Sequence, residues 1–499
     1  MSNAPDPVSR REGRSPILAI GLFLVLYLVT RTLSLDALPI FLDEAVHLQW
    51  AERLFSEGRI LRPVGSGRLL AVATYGLALP FEDRLWAARL IASLVGALTL
   101  VLTMLLAHRL FGTLAGVVAG ALYVCSPFAL VYDRLALSDG FLSACITGLM
   151  LATFRLSERP GEVRPRLMAA ALIVLAVVSK VSALFFLLTM PLCVLALAAR
   201  RGPAFRSVAI AVALGLLGAA PMLWFFARNS GEISSQHVVD PLAFGSTIAA
   251  TAGDMREWAV SYFTAPALLA AAASIAFLRD GRALWLAGSV SLPFVLFALF
   301  SEPWSARYVL STLPPLLILI AGGIEGLTAR LKPSSRVAAA IGLTVFASLS
   351  SLPFVKDLIV NPAKAPFPED DRRQLVTGWP SGYGVRELAV RLEQEARTGE
   401  LTAYVDTGGP RTFPTSMAIL VGRHPSIRLV EGDFGTEAVR AAMMEETKRR
   451  RVFAILGPRT VDLDFKAHFA DAAVERVEVY QRPGGEWAAT LFRLRGPAF

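Results

Sequence analysis

"PILAIGLFLVLYLVTRTLSLDALPIFLDEAVHLQW", residues 16–50, begins as an apolar run and ends with Asp43 and Glu44 side by side just beyond it. A helix needs roughly 20 apolar residues to cross a bilayer, and the run from Pro16 is close to that length. It follows Arg10, Arg11 and Arg14, as the core of a signal peptide would. No small-residue cleavage site closes it and many more apolar runs follow, so it reads as a retained signal anchor. The two acids and His47 then lie at the lip of a membrane.

Composition agrees. Of 499 residues, 54% are hydrophobic and 18% charged, where a soluble domain carries about 25% charged residues. The net charge of +9 does not point to nucleic acid, because the arginines fall between apolar runs instead of clustering with aromatics on one soluble face. Cys125, Cys145 and Cys193 all lie inside apolar stretches and read as small buried hydrophobes. No disulfide and no cysteine-based metal site is expected.

Apolar segments recur near 16–33, 88–107, 112–131, 139–154, 167–179, 182–199, 207–226, 260–278, 283–300, 308–327 and 337–353, about eleven helices at bilayer length. Arginine and lysine collect on alternate connections: the N-terminal tail 1–15, Arg109, 155–166, 200–206, Arg279 with Arg282, and 330–336. Those connections are expected to be cytoplasmic. The other connections, including the long first loop 34–87, and everything after Pro353 then lie outside. Residues 354–499 change character. After the Pro-rich, charged linker "NPAKAPFPEDDRRQ" (361–374), short apolar runs such as "LTAYVD" and "RVFAILG" alternate with helical patterns. This predicts an extracytoplasmic α/β domain closing on a hairpin with "RPGG" at its turn.

The outside connections carry the polar groups. Asp43 and His47 are four apart and share a face if "DEAVHLQWAERLF" is an amphipathic interfacial helix; Val46, Leu48, Trp50, Leu54 and Phe55 are then placed toward lipid. "YDRLALSDG" (132–140) holds Asp133, Arg134 and Asp139, and "SEPWSARY" (301–308) holds Glu302, Trp304, Arg307 and Tyr308. Lys180 is the first lysine of the chain and no other comes before Lys332. A charge at membrane depth costs about 2.5–3.5 kcal/mol on insertion scales and is a functional candidate by default.

One carboxylate and several cations at the outer leaflet suit sugar transfer from a lipid phosphate. The leaving group is a stabilised phosphate that needs cations, and a single base, here Asp43, can take the proton of the acceptor hydroxyl. Arg68, Lys180 and Arg307 are the candidate phosphate contacts. His47, Asp133, Arg134, Trp304 and Tyr308 are candidate substrate-site residues. No residue group marks a metal site; a divalent cation is compatible with the chemistry but not indicated.

The order of motifs resembles the polyprenyl-phosphate-dependent glycosyltransferases of the GT-C superfamily, in particular bacterial relatives of protein O-mannosyltransferases and the aminoarabinose transferase of lipid A. The resemblance rests on "DEAVHLQWAERLFSEG" (43–58), "LWAARLIASLVGALTLVLTMLLAHRLFG" (85–112), "DRLALSDGFLSACITGLMLATF" (133–154), "LAVVSKVSALFFLLTMP" (175–191) and "WSARYVLSTLPPLLILIAGGI" (304–324). It implies a polytopic helical membrane domain over 16–353 with interfacial helices in the first outer loop and an outward-facing cavity. It further implies an inverting transfer with the first acid of the Asp43–Glu44 pair as base, and matches Asp139 to a second acidic motif. Where many relatives carry Lys-Pro-Pro, this chain reads "RPVGSGRLLAV" (62–72), with Arg68 in place of the lysine. "TGWPSGYGVRELAVRL" (377–392) looks like a piece found after the membrane part of bacterial members, with no chemistry assigned to it.

The reading is therefore a multi-pass protein of the bacterial inner membrane that moves a sugar from a polyprenyl-phosphate donor to a lipid, glycan or protein acceptor on the outer face. The alternatives are an oligosaccharide ligase or polymerase, and a transporter or flippase of lipid-linked sugars. A transporter predicts inverted repeats with helices broken at the midplane, which the sequence does not display.

Overall fold

Apolar runs with few charges become helices because a helix satisfies its backbone polar groups internally, which a bilayer interior demands. The computed structural model describes residues 17–60, 67–233, 244–300, 305–407, 412–457, 465 and 473–495. Five of its helices are long and apolar enough to cross a membrane: Arg84–Phe111, Asp139–Glu158, Arg201–Arg228, Gly281–Leu299 and Ala306–Thr328. Two bent pairs bring the number to seven if each is one span: Thr251–Phe263 with Ala265–Leu278 at 99°, and Pro333–Leu349 with Leu352–Val360 at 55°. Shorter apolar helices cover Ile17–Thr32, Leu69–Ala78, Thr113–Cys125 and Ala183–Leu197.

The difference from eleven apolar runs lies in helices that are short or interrupted. The run at 112–131 breaks at Ser126, which is extended, before Pro127 opens the short helix Pro127–Tyr132. At the 99° bend, Thr264 has φ 63°, a conformation disfavoured for a β-branched residue. Small residues set the close crossings. An added Cβ would meet Ile173 at 2.7 Å from Gly215 and Val174 at 2.8 Å from Gly218, so the helix Arg201–Ile233 lies directly on Val163–Ser179.

The chain divides into two compact units. One contains the residues up to Leu35, Gly58–Thr74 and Arg89–Val360; the other contains Asp36–Glu57, Tyr75–Ala88 and the residues from Asn361 onward. The helix Leu42–Glu57, read in the sequence with the membrane part, is thus grouped with the C-terminal residues.

The second unit is built on a five-stranded sheet of β1 (Leu401–Asp406), β2 (Ile427–Gly432), β3 (Arg451–Leu456), β4 (Ala473–Gln481) and β5 (Trp487–Arg495), ordered β2-β1-β3-β5-β4. β1 is parallel to β2 and β3, while β3–β5 and β4–β5 are antiparallel. The helices Thr412–Val421 and Glu437–Thr447 connect the parallel strands. Both faces are covered, so β1 is buried at every position: Leu401, Ala403 and Val405 enter one core and Tyr404 the other. The closing hairpin is present, with Gly484 and Gly485 at φ 103° and 88° in its turn.

Candidate active site

Two helix ends create the polar centre of the membrane unit. Asp139 opens the helix Asp139–Glu158, and Lys180 caps the helix Val163–Ser179 in an extended conformation. A carboxylate at a helix N-terminus and an ammonium at a C-terminus each suit the local dipole. The two meet: Lys180 Nζ donates to Asp139 Oδ1 at 2.6 Å, with side chains 14% and 5% exposed. The same Nζ lies 3.9 Å from the centroid of the Tyr308 ring, a cation–π seat, and that ring stacks on Phe297 at 6.2 Å.

Arg307 precedes Tyr308 in the short helix Ala306–Thr312 and is buried, its guanidinium 5.6 Å from the Tyr308 ring. Arg307 and Arg68 both add positive potential at Asp139 and at Lys180. The backbone explains how Arg68 reaches the group. Gly67 has φ 71°, and a Cβ there would stand 2.8 Å from Val181 Cγ2, so the chain ahead of Arg68 lies directly against the residue after Lys180. The helices that carry the cluster are the most enclosed of the spans: 83% of the Asp139–Glu158 window and 89% of the Ala306–Thr328 window are buried, against 28% for Arg201–Arg228.

Asp133 and Arg134, candidate substrate-site residues in the sequence, sit in a hydrogen-bonded group at the end of the first helix. Asp133 is buried and its Oδ2 accepts the hydroxyls of Tyr27 at 2.9 Å and Tyr123 at 3.2 Å. Arg31, fully buried, donates to the carbonyls of Val124 and Tyr123 and lies over the Tyr27 ring at 4.5 Å. Arg134 donates to the carbonyls of Leu33 and Ser34. These groups tie the end of the first helix to its neighbours. Trp304 and Glu302 lie outside the described residues. Ser305, which the sequence did not single out, is buried and pairs its hydroxyl with that of Tyr132 at 3.3 Å.

In the second unit, Asp43 and Glu44 open the helix Leu42–Glu57. Glu44 is fully buried and its Oε2 accepts the Phe41 N–H at 2.9 Å, reaching back over the first turn as the acid of a capping box does. Asp43 is half-buried. His47 is buried and stacks on Tyr75 at 6.1 Å, so it is packed among aromatics. Leu48 is fully buried with Ala45 and Ala51, on a helix that packs against Thr412–Val421; it does not face lipid. Arg84 donates to the Ile419 carbonyl at 3.1 Å, and Arg423 pairs with Glu52 at 3.0 Å.

The "PSGYG" segment (380–384) has a place as well. Leu42 N–H donates to the Pro380 carbonyl at 3.1 Å, and Arg386 donates to the Asp36 carbonyl at 2.6 Å. A Cβ on Gly382 would be 2.1 Å from the Ile40 carbonyl oxygen, so only glycine allows this approach. Burial, with Glu387 nearby, pushes the Tyr383 hydroxyl up to about 12, and it stays protonated. Among the described residues no group of three or more His, Cys, Asp or Glu side chains is arranged to hold a metal ion.

A polytopic helical unit with a buried carboxylate–ammonium pair at its centre, together with a small α/β unit, has the fold of the GT-C glycosyltransferases that use polyprenyl-phosphate-linked sugars. Residues 71–225 match the dolichyl-phosphate-mannose-protein mannosyltransferase family. The chain is similar in structure to ArnT from Cupriavidus metallidurans bound to undecaprenyl phosphate, at 14% identity over 96% of this chain and 97% of that one, with a TM-score of 0.58. The apo form of the same protein matches at 15% identity over the same shares, with a TM-score of 0.56. The oligosaccharyltransferase of Archaeoglobus fulgidus tethered with an acceptor peptide matches at 10% identity over 95% of this chain and 74% of that one, with a TM-score of 0.50. No curated protein sequence matches the chain significantly.

Proposed function

We propose that the protein transfers a sugar from a polyprenyl-phosphate donor to a hydroxyl acceptor at the outer face of the bacterial inner membrane. The observation that carries this reading is the convergence of Lys180, Arg307 and Arg68, from three distant parts of the chain, on Asp139 within the membrane unit. A lipid-linked phosphate is the ligand such a cluster suits, because it delivers an anion to membrane depth and takes charge-assisted hydrogen bonds from guanidinium and ammonium groups. The undecaprenyl phosphate held by the structurally similar ArnT supports the same ligand class.

Asp43 is the base. The acceptor oxygen gives its proton to the Asp43 carboxylate and bonds to the anomeric carbon. The bond from that carbon to the phosphate oxygen breaks, and its electron pair leaves with the phosphate. Attack opposite the leaving group inverts the anomeric centre. Glu44, held by the Phe41 N–H, fixes the turn that presents Asp43. The acceptor is a lipid, glycan or protein hydroxyl, and the donor sugar is a hexose or pentose.

The test is to incubate the purified protein with radiolabelled polyprenyl-phosphate sugars and a membrane extract, and to locate the label. Transfer to a non-lipid-phosphate acceptor is expected. In parallel, Lys180→Ala and Arg307→Ala should each weaken donor binding by about 1.5–3 kcal/mol, the range for hydrogen bonds to charged groups. The double variant should lose less than the sum, since residues sharing a ligand couple. Unchanged donor affinity in both single variants would remove the phosphate site.

A further inference from the structure

In the α/β unit, Lys448, Arg449, Arg450, Arg451, Arg493 and Arg495 line an open groove of about 750 Å³. Glu400 is the one acid among the described residues that line it. The carboxylates paired with these cations are Glu445 to Lys448, Glu400 to Arg450, Glu395 to Arg451 and Arg493, and Glu475 to Arg493 and Arg495. Six cations therefore meet four acids. Glu395 is further divided, because Arg391 also holds it, at 2.8 Å. Arg449 is exposed and makes no ion pair among the described residues.

The end of a helix explains part of this grouping. Lys448 and Arg449 directly follow the helix Glu437–Thr447, where cations suit the dipole. It does not explain Arg451 at the start of β3, or Arg493 and Arg495 at the end of β5. Separate segments thus bring like charges together against their mutual repulsion. The pairs that offset it are weak holds. Lys448 with Glu445 and Arg495 with Glu475 are about half exposed, and ion pairs at such positions contribute little to stability, so an incoming anion can take over the cations.

Guanidinium forks accept phosphate and carboxylate oxygens two at a time, and a concave surface lined by one sign of charge concentrates counter-ions. The lining also narrows the partner. Leu494, the apolar residue among those described, is 3% exposed and belongs to the core of the sheet. The groove thus offers nothing to insert into a bilayer interface, no aromatic to stack on a base, and no apolar centre of the kind a protein partner covers. A chain of sugars bearing phosphate or carboxylate groups needs none of these, and its hydroxyls suit Glu400 and Thr447 beside the cations.

We propose that this groove binds a phosphate- or carboxylate-bearing glycan, which makes an anionic glycan the acceptor class of the transfer. The acceptor role rests on the proposed transfer; the binding does not.

The experiment titrates the full-length protein, in nanodiscs of neutral phosphatidylcholine, with hexagalacturonate and with its uncharged counterpart maltohexaose. Hexagalacturonate is expected to bind at least about tenfold more tightly, and to lose most of that advantage between about 0.05 M and about 0.5 M salt, as exposed charges are screened. Combining Lys448→Gln, Arg449→Gln and Arg450→Gln should weaken its binding about tenfold and leave donor-lipid affinity unchanged. Glu400→Gln should tighten it about twofold, a gain that misfolding does not produce, so the test stands even if the triple variant fails to fold. Equal binding of the two oligosaccharides, or unchanged affinity in both variants, overturns the proposal. So does equal binding of hexaglutamate, or binding of phosphatidylglycerol vesicles without binding of the free hexasaccharide. Failure of the transferase reading looks different: hexagalacturonate then binds as expected, yet no labelled sugar leaves the donor lipid for any acceptor.

Discussion

Asp43 and Glu44 are neighbours with opposite surroundings, one half-buried at a helix start and the other fully buried with its oxygen on a backbone N–H. Their substitutions should separate. Asp43→Asn is expected to keep donor binding and folding while lowering transfer by about 10²–10⁴, the usual contribution of a positioned base; near-normal turnover would remove the assignment. Glu44→Ala should instead lower thermal stability, by about 0.5–2 kcal/mol for a lost cap. Gly67→Ala should weaken donor binding, since a side chain there is strained at φ 71° and meets Val181; its read-out is donor affinity against melting temperature. The burial of Lys180 and Arg307 was legible because a charge in an apolar frame is costly wherever it lies, so sequence alone marks it. The partners of Asp133 and Arg134 were not, because Tyr27, Tyr123 and Leu33 come from segments whose proximity no local pattern encodes. Gly67, directly before an arginine, marks a close backbone approach that only its φ of 71° and its position against Val181 make visible.

At the scale of elements, the helix Leu42–Glu57 shows what periodicity conveys. The spacing of apolar positions correctly implied a covered face, but could not tell lipid from protein as the cover, and Leu48 proved to be covered by protein. Leu48→Ala should cost about 2–5 kcal/mol of stability as a buried large-to-small change, measurable by thermal denaturation; a cost near zero would restore the lipid-facing reading. The "PSGYG" segment had no chemistry in the sequence because its work is backbone contact with Ile40 and Leu42, just ahead of Asp43. Gly382→Ala must displace that backbone. A misplacement of about 1 Å at a catalytic group can cost about 10²-fold, so turnover should fall by roughly that factor with donor affinity unchanged. Equal loss of both would show that the segment supports folding only.

For the molecule as a whole, hydropathy made the polytopic class plain, and alternation of short apolar runs with helices made the α/β unit plain. The number of crossings was less legible, since breaks such as Ser126 and Thr264 depend on packing that composition does not report. Orientation can be checked directly. Ser334→Cys and Ala438→Cys are both exposed positions, and in spheroplasts only the second is expected to react with a membrane-impermeant maleimide; labelling of the first alone inverts the topology. The grouping of residues 42–57 with a sheet formed by the last hundred residues also bears on biosynthesis. The helix Leu42–Glu57 is made more than 350 residues before its partner helix ends at Val421. At about 5–20 residues per second, that interval is on the order of half a minute. During it the face of Ala45, Leu48 and Ala51 waits without the helix that covers it, and a chain cut short near Val360 would leave the proposed base with no settled place to stand.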